Sequence, residues 1–359
     1  MNNIPTVILA EGAFEDDGLC KTAYGLLRYA PESIIAVIDS KNSGRDSSEV
    51  SGLGHGIPVV ADLDAALKLN PKRLVIGVAP AGGGLPAEWR KYLVLALEKG
   101  LEVVSGLHLI LGEDKEFTAA AARGGGRIVD LRKEPADLQV ASCRAQQVSA
   151  MVVLTVGTDC NAGKMTTSLE IVREANERGI TAKFCGTGQT GIAIAGWGIA
   201  VDHVLSDFTA GAAERLVLEA AADKTARLIV VEGQGALTQP VYSGVTLSLM
   251  HGSLPDALIL CHRATRRFTE IVNLPLPPLK EHIIQYEEAM RLVKPVKVKA
   301  VSLITRGMEE STARRVIDES SRETGLPVID PVRFGAGVLL DALLDDSLKK
   351  QPLYSGTKY

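Results

Sequence analysis

Short runs rich in Val and Ile recur along the whole chain, each followed by a stretch with helical spacing. In the first part these runs are TVILAEG, SIIAVIDS, IPVVAD, RLVIGVAP and LEVVSGLH, and both of their alternating faces are apolar. A strand with no polar face must be covered on both sides, as happens in a parallel sheet between two layers of helix. The intervening stretches GLCKTAYGLLRYAP, DLDAALKLN and PAEWRKYLVLALEKG supply such helices. Asp62 is placed to cap the second of them, and Gly100 to stop the third. Parallel neighbours need crossovers, so the alternation commits the chain to an α/β architecture with right-handed connections.

The rhythm breaks at EFTAAAARGGGRIVDLRKEPADLQ, whose alanines, three glycines and mixed charges read as a connector. A second series follows. Its strands are MVVLTVG, ITAKFCG, RLIVVEG, DALILCH, VKAVSLIT and LPVID. Its helices include KMTTSLEIVREANERG, SDFTAGAAERLVLEAAAD, PLKEHIIQYEEAMRLV and EESTARRVIDESSRETG. A length of 359 residues suits two domains. The expected layout is a Rossmann-like parallel sheet over 1–130, a linker over 131–150, a P-loop NTPase-like parallel sheet over 151–348 and a loose polar tail over 349–359. The proline-rich LPLPPLK (274–280) reads as a loop entering a helix.

Composition narrows the partners. The net charge of −4 gives no general basic surface, so no nucleic-acid role is expected. The five cysteines (20, 143, 160, 185, 261) are widely spaced and contain no C-x-x-C, which fits reduced thiols and suggests neither a disulfide frame nor a metal site. The N-terminal MNNIPTVILAEGAFEDD lacks the basic flank and the length of a signal peptide, and no apolar run approaches the ~18 residues of a membrane span. A cytoplasmic protein with no membrane partner is expected, and two edge-bearing sheets make a homo-oligomer the expected assembly.

The strongest chemical signal is GTDCNAGKMTT, between an apolar strand and a helix. Such a turn aims backbone N–H groups and the helix dipole at an anion, and Lys164 adds a full charge. Gly157, Thr158, Asn161, Ala162, Gly163, Lys164, Met165, Thr166 and Thr167 are therefore the candidate cofactor-binding residues. The pattern is G-x5-G-K-M-T, and Met165 stands where a magnesium-nucleotide loop carries its metal-binding hydroxyl. Thr166 is next, about 100° further round the helix. Phosphates that are held but not cleaved, as in coenzyme A, fit a loop of this kind, and ATP with Mg²⁺ is the alternative ligand. Cys160 inside the loop would feel the dipole and Lys164, which lowers a thiol pKa and suits a nucleophile.

Other features lie at predicted strand ends. Glu232 follows RLIVV and is flanked by Gly233 and Gly235, which permit close backbone approach. CGTGQTG (185–191) is a literal G-x-G-x-x-G with Asp207 downstream, the dinucleotide signature. The small-residue stretch IAIAGWGIAVD after it is a poor helix, so the glycines read instead as a loop at the strand edge, lined by Gln189, Thr190, Asp202 and Asp207. HGSLPDALILCHRATRRF brings His251, His262, Arg263, Arg266 and Arg267, of which the arginines can hold carboxylate or phosphate. In the first domain EGAFEDDG is too acidic for pyrophosphate, and Asp39 lacks its glycine code. APAGGGLP (79–86) and SGLH (105–108) are strand-end loops able to face a ligand.

These residues carry family likenesses. The loop form GTD-x3-GK and the later E-G-x-G resemble dethiobiotin synthetase and its relatives. IPVVADLDAAL, RLVIGVAP and ALEKGLEVVSGLH resemble the CoA-binding Rossmann-like domain of acyl-CoA synthetases. Across nearly the full length, VGTDCNAGKMTT, GTGQTGIAIAGWGIAVDHV, VVEGQGAL and HGSLPDALILCH resemble a bacterial and archaeal family, once of unknown function, that includes D-glutamate N-acetyltransferases. The resemblance implies acetyl-CoA as acyl donor and an amino acid, D-glutamate or an analogue, as acceptor. On that reading Glu232 or Asp207 is the base, with Asp202 a third catalytic candidate, and Gln189, Thr190, His251, Arg263 and Arg266 meet the acceptor. An ATP-dependent ligase or kinase of the dethiobiotin synthetase type and a non-catalytic nucleotide or CoA sensor are the rival expectations.

Overall fold

The structure, a computed structural model, describes residues 4–78 and 84–345. Most of APAGGGLP (79–83) and the expected tail (349–359) lie outside the described residues. The chain divides into two compact units, one of Met1–Pro135 with Gln189–His203, the other of Ala136–Gly188 with Val204–Tyr359.

The first unit holds strands β1 (Thr6–Leu9), β2 (Ile34–Ile38), β3 (Val59–Val60), β4 (Arg73–Ile76), β5 (Glu102–Ser105) and β6 (Arg127–Asp130). All pair in parallel in the order β3-β2-β1-β4-β5-β6, the doubly wound order of the Rossmann fold. Every residue of β1 is buried, as its two apolar faces require. The connecting helices are α1 (Lys21–Tyr29), α2 (Ser47–Ser51), α3 (Leu63–Leu67), α4 (Arg90–Glu98) and α5 (Lys115–Gly124). Asp62 caps α3 by accepting from the Ala65 amide, and Gly100 is left-handed at φ +77° after α4.

The stretch expected to be a connector instead contains α5 and β6, which complete the first sheet. Alanine is the strongest helix former, and Asp114 caps the helix at the Glu116 amide. Its glycines serve close packing. A Cβ on Gly124 would lie 2.3 Å from the Glu98 backbone, and one on Gly126 2.5 Å from the Leu97 carbonyl oxygen, while Gly125 ends the helix at φ +72°.

The second unit holds β7 (Met151–Gly157), β8 (Ala182–Cys185), β9 (Leu228–Val231), β10 (Ala257–Arg263), β11 (Lys297–Ile304) and β12 (Val328–Ile329). They form a second all-parallel sheet in the order β12-β11-β10-β7-β9-β8. Helix α6 (Lys164–Glu177) follows β7. Helix α7 (Gln189–Ala195) leaves β8 and belongs to the first unit. There it packs on α1, with the Thr22 and Thr190 hydroxyls 2.8 Å apart and Gly25 so close that a Cβ would lie 2.9 Å from Thr190 Cγ2. Part of the G-x-G-x-x-G stretch thus opens a helix, where the small residues favoured a loop.

The remaining helices of the second unit are α8 (Ser206–Ala220), α9 (Ser243–Ser253), α10 (Leu279–Arg291), α11 (Glu310–Thr324), α12 (Pro331–Phe334) and α13 (Gly337–Leu344). The core is built where Val153, Val230 and Ile259 of the sheet meet Ile171 of α6 and Leu339 and Leu340 of α13. In open parallel sheets ligands gather at the carboxyl ends of the strands, where connections diverge to opposite faces. The central strand at that edge is β7.

Candidate functional site: the loop after the central strand

Strand β7 ends at Gly157 and α6 begins at Lys164. Between them Asn161 (φ +53°) and Gly163 (φ +94°) adopt left-handed backbone, which curls the chain into a turn of the kind that binds anions. Gly163, the N-cap of α6, has no side chain with which to cap the helix, and the first amides of a helix are groups that an anion can engage. A Cβ on Gly163 would lie 2.8 Å from Ile304 Cδ1.

Lys164 folds back along the loop and donates from Nζ to the Asp159 carbonyl at 2.8 Å. Its path explains two glycines. A Cβ on Gly157 would lie 3.0 Å from Lys164 Nζ, and one on Gly233 would lie 3.0 Å from Lys164 Cδ. Burial pushes the lysine pKa down, against the pull of Cys160, Cys261, Asp159 and Glu232.

The loop is clamped from behind by residues distant in sequence. Asp159, fully buried, accepts from Arg266 Nη1 at 2.8 Å, from the Glu270 amide at 2.8 Å and from Gln239 Nε2 at 3.0 Å. Arg266 also donates to the Cys160 carbonyl. Asn161 Nδ2 donates to Glu270 at 2.6 Å. Thr158 Oγ1 meets His262 Nδ1 at 2.8 Å, and its carbonyl accepts from Thr238 Oγ1 at 2.9 Å. Tyr286 donates its hydroxyl to the Gly157 carbonyl at 2.7 Å. Thr167 Oγ1 lies 2.7 Å from Ser302 Oγ. Burial, with the positive fields of His282, Arg267 and Arg266, holds His262 down at about 4, so the ring is neutral at neutral pH.

Glu232 stands at the end of β9, the strand paired with β7 on the side away from β10. It is 4% exposed. One carboxylate oxygen accepts from the amides of Thr187 (2.9 Å) and Gly188 (3.2 Å). Burial pushes the pKa up, the two amides and Lys164 pull it back, and the balance is about 7. The next residue must be glycine, because a Cβ on Gly233 would sit 1.8 Å from the Thr155 carbonyl oxygen.

The other sequence candidates are distributed as follows. Ala162 is buried, and Met165 and Thr166 are half-buried on the first turn of α6. Cys160 is half-buried in the loop. Asp207 is exposed in the first turn of α8. Arg263 is exposed at the end of β10. His251 on α9 points Nε2 at the Ala289 carbonyl, 3.4 Å away. Asp202, Gln189 and Thr190 belong to the first unit, where Arg132 ion-pairs with Asp202 and donates to Gln189 Oε1 at 2.7 Å. Arg266, expected to face an acceptor carboxylate, gives its guanidinium to the loop. Sequence reasoning missed Gln239, Glu270, Thr238 and Tyr286, because no local spacing links them to the loop, and it passed over Asp159 inside the loop because the partners that give it a role, Arg266, Gln239 and the Glu270 amide, are distant in sequence.

On the β10–β11 side of the loop the second unit contains a cavity of about 600 Å³ whose lining includes His262, Arg267, Pro277, Met308 and Glu319. The first unit has one of about 530 Å³ beside His108 and His203. Among the described residues no cluster of His, Cys, Asp and Glu is suited to a metal, and no helix is long and apolar enough to cross a membrane.

Residues 139–340 match the domain of unknown function DUF1611, C-terminal P-loop domain, and residues 40–134 match its N-terminal Rossmann-like domain. A protein of Tritonibacter scottomollicae named D-glutamate N-acetyltransferase is 38% identical over 90% of this chain and 93% of its own length. One of the same name from Pseudoalteromonas sp. is 35% identical over 75% of this chain and 80% of its own. The crystal structure of a DUF1611 family protein from Anabaena variabilis superposes with a TM-score of 0.90 at 40% identity, covering 95% of this chain and 99% of that one.

Proposed function

The chain belongs to the DUF1611 family, and from that membership and the loop geometry we propose that it moves the acetyl group of acetyl-CoA to the amine of D-glutamate or a close analogue. The observation that carries this reading is Glu232, a buried carboxylate tuned to about 7 beside the lysine of an uncapped anion-binding turn. The relatives named for this activity support it.

The loop suits a substrate that carries or develops negative charge. In acyl transfer the acceptor ammonium first gives a proton to Glu232, whose pKa matches the task at neutral pH. The free amine then attacks the thioester carbonyl, and the C–S bond breaks as the amide forms. The nitrogen sheds its second proton and the sulfur leaves as the thiol, so one proton is released overall. Lys164 and the first amides of α6 are the groups available to hold the oxygen of the tetrahedral intermediate. Asp159 and Arg266 keep the loop in shape for this.

The test is direct. Protein, acetyl-CoA and D-glutamate are mixed and free thiol is followed; release that depends on both substrates is expected. No thiol from any member of a panel of D- and L-amino acids defeats the reading. The position of Glu232 beside a loop lysine also suits a magnesium ligand, which is the ATP-dependent alternative. Titration calorimetry with Mg-ATP against acetyl-CoA separates the two, and binding of either without turnover would identify a sensor.

A further inference from the structure

We propose, resting on the acyl-transfer reading above, that the cavity beside His262 receives the 3′-phosphoadenosine end of acetyl-CoA, and that Arg267 binds the 3′-phosphate. If Glu232 and Lys164 mark the reacting end of the donor, its nucleotide end needs a separate seat on the same sheet edge. The cavity lies there. Its lining includes His262, whose Nδ1 meets Thr158 of the loop at 2.8 Å, so cavity and loop share a residue contact.

Size and spacing agree with this. A volume of about 600 Å³ falls within the usual range for a cofactor-sized ligand. Glu232 follows β9, and the cavity follows β10 and β11, with β7 between β9 and β10. With neighbouring strands about 4.8 Å apart, the two places are on the order of 10–15 Å apart. That is the kind of gap a pantetheine arm spans between nucleotide and thioester.

The lining has the right chemistry at each point. Leu276, Pro277, Pro278 and Met308 offer an apolar surface for a purine. Arg267 Nη1 donates to the carbonyls of Ala264 (3.0 Å) and Arg266 (3.2 Å), which fixes its guanidinium against the cavity. The planar fork of arginine suits a phosphomonoester better than a point charge does. Positive charge from both arginines already reaches the His262 ring. The acids on the α11 wall have partners of their own: Glu319 pairs with Arg315 at 2.9 Å, and Glu323 accepts from the Lys280 amide at 3.3 Å.

The experiment measures binding by calorimetry for CoA, dephospho-CoA and adenosine 3′,5′-bisphosphate, with wild type and Arg267→Ala. CoA should bind wild type about tenfold or more tighter than dephospho-CoA, and the bisphosphate should compete with it. Arg267→Ala should remove most of that preference while leaving dephospho-CoA affinity and the KM for the acceptor unchanged. Equal wild-type affinity for CoA and dephospho-CoA overturns the assignment yet leaves acetyl transfer standing, and it does so whether or not the variant folds. A variant defect confined to the acceptor KM assigns the cavity to the amino acid and also overturns it. No CoA binding at all removes the acyl-transfer reading and this inference together.

Discussion

At the scale of single residues, Glu232 has a distinctive electrostatic setting. Replacing it with glutamine keeps the amide contacts feasible but removes the base proposed above, so turnover should fall about 10²-fold or more in a thiol-release assay. In the wild type kcat/KM should climb with pH through about 7 and then level, because only the deprotonated carboxylate accepts a proton. The same group shapes stability. Its folded pKa lies above the ordinary 4.5, so between pH 4.5 and about 7 the native state holds a proton the unfolded chain has released, and stability declines as pH rises across that window. His262 acts in the opposite sense. Its folded pKa of about 4 lies below the ordinary 6.5, so its contribution grows as pH rises from 4 to 6.5 and is lost on acidification. Removing the Glu232 slope should therefore make Glu232→Gln gain stability with pH more steeply than wild type between pH 4.5 and 6.5, by on the order of 1 kcal/mol per pH unit. Urea unfolding at a series of pH values reads this out, and parallel curves would contradict the assigned ionisation.

At the scale of elements, the loop is held by the clamp behind it. Asp159 and Arg266 form a buried pair, 0% and 10% exposed. Truncating either to alanine should cost about 3–5 kcal/mol, and a double-mutant cycle should return coupling of about 2 kcal/mol or more. Gly233→Ala, which drives a methyl into the Thr155 carbonyl between β9 and β7, should cost several kcal/mol or abolish soluble expression. Its thermal melt can be set against Gly244→Ala, where a Cβ meets nothing within 4 Å. Strands were legible in the sequence because doubly apolar runs have one common solution. The segment holding β6 was not, since its three glycines resemble a linker and only the contact with α4 reveals their purpose. Helices α9 and α13 carry apolar or small residues around most of their circumference, so neither shows the stripe that marks a surface helix. The loop and Glu232 stood out by spacing. The pairing of Asp159 with Arg266 did not, because it joins residues more than a hundred positions apart.

At the scale of the whole molecule, the units are not consecutive in sequence. Residues Gln189–His203 leave the second sheet after β8, become part of the first unit, and return. A fragment of residues 4–135 lacks α7 and exposes the α1 surface that Gly25 keeps flat for Thr190 and Ile194. It should melt at a lower temperature than the same fragment supplied with a 189–203 peptide, by circular dichroism, and identical melts would show that α7 adds nothing. The amides that grip Glu232 belong to Thr187 and Gly188, the last residues before this excursion. During synthesis the Rossmann-type half therefore waits, unsealed, until residue 203 has cleared the ribosome, several seconds after residue 135 at roughly 5–20 residues per second. By then β7 and β8 have already emerged, so the first unit receives its last helix only after strands of the second have been made.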